Sequence, residues 1–302
     1  MKNGNRVHFV MMVLSSVVLA ACEGGSYEGD EDGASPVHLS DGSAPEGSAT
    51  EGGAPEGGLM SCFNEGLYDD GSILSITYEA QKSVDPWYVS DVFEVTETRT
   101  VFGTASFDGE DDAIEVGVSV HWDTTASGGE NEEFVGEFKA YYALDFEDLD
   151  DPRVRYLGST KQDADTLDYE PWETADPPQV FRFALSEEDG SYEQEITMTT
   201  DGVERAKTVV MSFGGSVTSQ VPAGDVDSCL VTGTGFAPVV YMTSGKVKGT
   251  TEDEFTPFVL HLAKETGIPV LIEFVQGPTE YGSDPTVHLE MVSATLNGEQ
   301  VF

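Results

Sequence analysis

The chain has 302 residues, with 14 Lys and Arg against 56 Asp and Glu and a formal net charge of −42. A charge of that sign excludes nucleic acid as a partner, because phosphate binding rests on Lys and Arg clusters, and it repels anionic lipid headgroups. Residues 59–302 are enough for one large domain or two smaller ones with real cores, and the acidic surplus reads first as a solvated, self-repelling surface.

The N-terminus has three parts. Lys2 and Arg6 precede an apolar run from Val7 to Ala21, and the run ends in Leu19-Ala20-Ala21-Cys22. Charge, apolar middle and small residues before a cut are the parts of a secretory leader, whereas a membrane-spanning helix needs roughly 20 apolar residues. The whole resembles a bacterial lipoprotein signal peptide closed by its lipobox. That resemblance implies removal of residues 1–21, lipid on Cys22 as the first mature residue, and a protein held at the cell envelope by acyl chains. Each buried methylene contributes about 0.8 kcal/mol, so two or three chains anchor far more firmly than one. Glu23, where many inner-membrane lipoproteins carry Asp, points to the outer membrane over the inner. Loss of Lys2 and Arg6 leaves 12 basic residues against 56 acidic ones, a mature charge of −44. No other run in the chain is long and apolar enough to cross a bilayer.

Residues 22–58 are mostly Gly, Ser, Ala, Pro and acid without a Lys or Arg, and they repeat APEGS, ATEGG and APEGG from Ala44, Ala49 and Ala54. Such a stretch buries too little apolar area to offset its ordering entropy, so a disordered tether of roughly 35 Å is expected. Glu28, Asp30, Asp32 and Gly33 imitate the start of an EF-hand loop, but Leu39 stands where the closing Glu belongs.

With Cys22 assigned to lipid, Cys62 and Cys229 remain, and an isolated pair in an oxidising compartment is expected to form a disulfide. Closing so long a loop is worth roughly 5 kcal/mol as an upper figure. The pair also suggests a boundary, with 59–230 as an antiparallel β domain and 231–302 as a smaller C-terminal β unit. Asp70-Gly71, Asp108-Gly109, Asp189-Gly190 and Asp201-Gly202 punctuate runs rich in Val, Ile, Thr, Tyr and Phe, which is the pattern of hairpins. Ile114, Val116, Val118, Val120 and Trp122 alternate with Glu115, Gly117, Ser119, His121 and Asp123, giving one core face and one wet face. Phe134, Phe138, Tyr142 and Leu144 repeat the pattern. The fold class is therefore all-β and mainly antiparallel, as a meander, sandwich or half-barrel. Residues 257–265 fit either a short helix begun by Thr256-Pro257 and ended by Gly267 or a strand, and the neighbouring strands favour the second. The segment LAKETGIPVLIEF resembles a thioredoxin-like helix-to-strand entry, but no Cys-x-x-Cys accompanies it.

Catalytic motifs are few. Beyond residue 58 the histidines are His121, His261 and His288, and neither a G-x-S-x-G elbow nor a phosphate-binding glycine loop is present. His121-x-Asp123 and His288-x-Glu290 each put imidazole and carboxylate on one strand face, so they form a candidate metal set with His261. His-x-Asp with a distant His also resembles the facial triad of jelly-roll iron oxygenases, although no Arg follows Arg205 to hold a co-substrate carboxylate. The plainer reading puts all three histidines on solvated faces. Structural Ca²⁺ is a second cation expectation, from the loop clusters Asp108 to Asp112 and Asp145 to Asp151. Trp87-Tyr88 and Trp172 are candidates for stacking on a sugar or anchoring a protein partner. The function read from sequence is binding or a structural role in the envelope. The alternatives are a metal-dependent enzyme, or a carrier whose curved sheet encloses an apolar ligand against residues such as Val118 and Phe138.

Overall fold

The structure, a computed structural model, describes residues 58–85, 88–89, 92–123, 134–146, 151–162, 169–200, 202–234, 257–275 and 286–302. The leader, Cys22, the tether as far as residue 57, Trp87 and the acids Glu147, Asp148 and Asp150 lie outside them, as does the side chain of Asp123.

Fourteen strands account for most of the described chain. They are β1 (Ile73–Asp85), β2 (Tyr88–Val89), β3 (Phe93–Phe107), β4 (Glu110–Asp123), β5 (Phe134–Asp145), β6 (Arg153–Gln162) and β7 (Tyr169–Arg182). Then follow β8 (Ser191–Thr200), β9 (Val203–Val221), β10 (Gly224–Thr234), β11 (Pro257–Ala263), β12 (Pro269–Val275), β13 (Thr286–Leu296) and β14 (Glu299–Gln300). Except that β3 pairs with β1 beside the short β2, each strand lies antiparallel to its predecessor. β1 also pairs with β13, Ile76 opposite Ala294. That last pairing closes the meander into a barrel of twelve strands, with β2 and β14 as short additions. Closure removes the two unpaired edges that an open sheet would present.

The turn chemistry supports the hairpins. Asp108-Gly109 between β3 and β4 and Asn297-Gly298 between β13 and β14 have positive φ at both residues, 46° and 85° in the first and 53° and 81° in the second. That is the geometry a primed turn demands and the reason for those residue pairs. In β7, Asp176-Pro177-Pro178 interrupts the ladder to β8, since proline has no N–H to donate. The Gln194 side chain takes over, accepting from Val180 N–H and donating to the Pro178 carbonyl, each at 2.9 Å.

Period-two alternation separates core from surface. Leu74, Ile76, Tyr78 and Ala80 of β1, Val116 and Val118 of β4, and Phe258, Leu260 and Leu262 of β11 are buried. Their neighbours carry hydroxyls on the outer face, where Ser75 pairs with Thr98 at 3.1 Å and Thr77 with Thr96 at 3.2 Å. Eight strands already leave an interior just wide enough for side chains to fill, and twelve enclose more. Large residues fill the difference, among them Tyr78, Tyr142, Tyr156 and Phe181. Residues 58–68 add to them. Leu59 N–H donates to the Leu185 carbonyl at 3.1 Å, and Phe63 packs on Phe146 and Phe183 at 4.8 and 4.4 Å. Tyr68 meets Tyr142 edge-on. The Cys62–Cys229 disulfide ties this filler to β10. Val118 and Phe138, expected to line a cavity for an apolar ligand, are 3% and 6% exposed within the packed core.

One expectation changes, and one is met. Residues 231–302 are not a separate unit: Gly57–Phe302 is one compact body, and the boundary at 230 falls inside β10. The disulfide brackets residues 62–229, but β13 is needed to close the barrel against β1, so neither piece has a complete sheet without the other. Residues 257–263 are strand, and a turn with positive φ at Glu265 and Gly267 ends it.

The two ends of the barrel differ. One carries the disulfide and the point at which the chain enters at Gly58. From the other depart the long connections 124–133, 163–168, 235–256 and 276–285. β9 and β10 also run past the wall. A bulge at Gly214-Gly215 shifts their register, and the hairpin beyond it reaches β13, where Ala223 N–H donates to the Met291 carbonyl at 3.0 Å.

Candidate functional site

The histidines divide between two places. His261 on β11 and His288 on β13 flank Glu273 on β12, and all three point outward because Leu260, Leu262, Ile272, Val287 and Leu289 point in. His288 bonds to Glu273 through Nδ1 at 3.3 Å and to Glu290 through Nε2 at 3.0 Å. These two carboxylates raise the His288 pKa, and the His288 contact lowers that of Glu273. Burial, with the nearby His288 adding to it, lowers the pKa of His261.

His121 is elsewhere on the outer face. It lies opposite Thr96, which lies opposite Thr77, which lies opposite Ser293. Three strand spacings and five further residues along β13 put it on the order of 20 Å from His288. The structure therefore brings His261, His288 and Glu290 to one surface and leaves His121 apart from them. Among the described residues, no group of three or more His, Cys, Asp and Glu is arranged to hold a metal ion.

Ser219 beside His261 looks like a nucleophile beside its base, at 2.7 Å from Oγ to Nδ1. The proton directions say otherwise. Ser219 donates to Ser228 at 3.0 Å, and Ser228 donates to the Val226 carbonyl at 3.0 Å. The Ser219 hydroxyl hydrogen is thus in use, and its oxygen accepts from Nδ1–H of His261. A catalytic serine must give its proton to the imidazole. Ser219 is also 3% exposed, out of reach of a substrate. The chain of donors fastens the β9–β10 hairpin to β11.

Of the acidic clusters, Asp151 is occupied by arginine: it accepts from Arg153 and, at 2.9 Å, from Arg182. Asp108 and Glu110 border a recess of about 180 Å³ with Leu157, Ala175, Asp176 and Pro178, and Glu110 lies 3.8 Å from Arg155.

The inner face holds polar groups that alternation could have revealed. Glu97 and Arg99 stand on β3 between Val95 and Val101, all four buried, and bond at 2.8 Å. Burial pushes Glu97 up to about 7, outweighing the attraction of Arg99. Glu173 on β7 is 5% exposed and accepts from Tyr156 at 3.0 Å and from Thr200 at 3.2 Å. Burial, reinforced by the Glu173 charge, raises the Tyr156 pKa well above its ordinary value. Lys207 on β9 faces the same interior, opposite the core residue Ile196, and burial lowers its pKa against the pull of Glu173. Arg205 lies two residues further towards the loop-bearing end, opposite Met198, and is exposed.

Beside them is Trp172. It occupies a bulge in β7, since Ser159 faces Glu173 while Thr160 faces Pro171. Its ring meets Phe138 edge-on at 6.5 Å, and Lys161 Nζ sits 5.8 Å from its centre. Lys161 is inward because its cross-strand partner is Phe138. Strands β6 to β9 thus present Lys161, Trp172, Glu173, Thr200, Arg205 and Lys207 together at the loop-bearing end. Of these, sequence reading singled out only Trp172. The missed signal was charge interrupting an apolar stripe.

No protein-family model matches the chain, and no curated protein matches it. Two solved structures are similar. One is a candidate lipoprotein from Parabacteroides distasonis, with a TM-score of 0.34 and 11% identity over 74% of this chain and 96% of that one. The other is a candidate exported protein of YmcC-like fold from Bacteroides fragilis, with a TM-score of 0.32 and 11% identity over 75% of this chain and 96% of that one. Likeness at these values carries no statement about the activity of this chain.

Proposed function

We propose that this chain is a lipid-anchored, extracytoplasmic lipoprotein whose β-barrel has a binding role in the cell envelope, with the outer membrane as its site. The observation that carries the reading is the N-terminal sequence, a basic start and an apolar run that ends at Leu19-Ala20-Ala21-Cys22 with an acidic, Gly-rich tract directly after it. Acyl chains supply the attachment that the charge of −44 denies to the protein surface. The Cys62–Cys229 disulfide suits an oxidising compartment. Binding is favoured over a purely structural role by the inward cations and Trp172 at the end opposite the chain's point of entry.

Metabolic labelling with an alkynyl fatty acid tests the anchor. The wild-type chain is expected to take up label and to sediment with outer-membrane fractions on a density gradient. Cys22→Ser is expected to lose both. Label retained in that variant, or absent from the wild type, overturns the reading.

A further inference from the structure

We propose that the break in the β6–β7 ladder is a hydration site, in which water bound to the Gln179 amide inside the wall continues into the recess outside it. The proposal needs neither the lipid anchor nor the binding role given above.

The wall is interrupted at this point. Tyr156 pairs with Gln179 and Gly158 with Thr174, so Leu157 alone on β6 stands against Ala175, Asp176, Pro177 and Pro178 on β7. Four residues cannot continue a ladder against one, and the two prolines have no N–H to offer. Gln194 holds the backbone on either side of Gln179, at the Pro178 carbonyl and the Val180 N–H. The side chain between them points inward, because Gln179 lies opposite Tyr156 and two residues before Phe181, both in the core. Gln179 is 0% exposed, yet neither its Oε1 nor its Nε2 has a hydrogen-bond partner among the described residues.

The cost of such a group decides what sits there. An amide buried without a hydrogen bond weakens folding roughly tenfold to a hundredfold, whereas an ordered water satisfies it at little cost. The recess beside it supplies the room. Leu157, Ala175, Asp176 and Pro178 line that recess beneath the β3–β4 turn. Ala175 belongs to the inner core, opposite Met198, and Leu157 to the outer cluster with Phe107 and Tyr141, so the lining comes from both faces of the wall. Its volume of about 180 Å³ holds several waters but falls below the roughly 300 Å³ that a drug-sized ligand needs. At its border Arg155 Nη1 stands 3.8 Å from Glu110 Oε2, beyond a direct hydrogen bond, so water completes both groups. The amide offers one acceptor and two donors and no charge, which suits water and gives an ion no counter-charge. Asp108, Glu110 and Asp176 repel an anion, and the described carboxylates form no set arranged for a metal ion.

Crystals of the Cys22→Ser chain at a resolution that shows ordered solvent test the site directly. Water within hydrogen-bond distance of the Gln179 amide is expected, followed by further waters in the recess. In solution, oxygen-17 relaxation dispersion counts long-lived waters in the full-length protein and in Gln179→Met, which keeps the length of the side chain without its amide. The variant is expected to lose at least one long-lived water and to gain no stability in urea. Removal of a dry amide would instead stabilise the fold roughly tenfold or more. A Gln179 amide without ordered water, the same water count in both proteins, or such a gain in stability overturns the proposal. Should the variant not fold, the density at Gln179 still decides.

Discussion

Replacing Glu97 by Gln removes one titrating proton from the barrel interior while keeping the shape of the side chain. Burial lifts this carboxyl from its ordinary 4.5 to about 7, because the cost of holding a charge among Val95, Val101 and their neighbours exceeds what Arg99 returns. At about 1.4 kcal/mol per pH unit, that displacement corresponds to about 3 kcal/mol of stability. The sign follows from proton binding. Between pH 4.5 and 7 the folded state holds the proton more tightly than the unfolded state. The contribution is therefore complete below pH 4.5 and is lost as pH rises to 7. Gln cannot titrate, so the variant lacks this slope. Urea unfolding of both proteins from pH 4.5 to 8 reads the difference, in which the other carboxylates cancel because both chains share them. The stability of wild type relative to Glu97→Gln is expected to fall by about 3 kcal/mol across that range. Parallel curves would refute the placement of Glu97 as a buried, proton-holding group.

Two further outcomes are expected. The disulfide spans a sequence separation of 167 residues, for which loop entropy gives roughly 5 kcal/mol as an upper figure, and it holds the filler segment in the barrel. Joint replacement Cys62→Ala and Cys229→Ala should lower the urea midpoint strongly, and a loss under about 1 kcal/mol would contradict that role. The His288 pKa is raised by Glu273 and Glu290, so its contribution is present below pH 6.5 and is lost as pH rises through the raised value. His288→Gln should flatten the decline in thermal midpoint above pH 6.5, and an unchanged profile would argue against the contact with Glu273.

Much of the fold is legible in local sequence. Ile114 to Trp122 alternates at a period of two, and β4 places Val116 and Val118 in the core as that period requires. Asp108-Gly109 and Asn297-Gly298 are turns for the same reason that they are common in hairpins, the tolerance of those residues for positive φ. The segment from Pro257 is less legible, because Phe258, Val259 and Leu262 satisfy a helical period while Phe258, Leu260 and Leu262 satisfy that of a strand. Pairing with β10 on one side and β12 on the other decides it.

The candidate site shows where local reading stops. His121, His261 and His288 draw attention because of their residue type, yet only the last two share a surface. Lys161, Arg205 and Lys207 look like ordinary surface charges in one dimension. They become a set only because four successive strands curve about one interior and put alternate residues on its wall.

The sequence by itself determined the strand class, the turns at Asp108-Gly109 and Asn297-Gly298, and the pairing of Cys62 with Cys229, because alternation, turn dihedrals and the scarcity of cysteine are local or compositional properties. The tertiary structure decided that residues 231–302 belong to the same sheet, that the meander closes as β1 meets β13, and that Lys161, Arg205 and Lys207 share one inner wall. Those depend on strand register and on which ends of the chain meet. Both are fixed by the packing of Tyr78, Tyr142, Phe181 and the segment that begins at Leu59, residues far apart in sequence whose contacts no local pattern encodes.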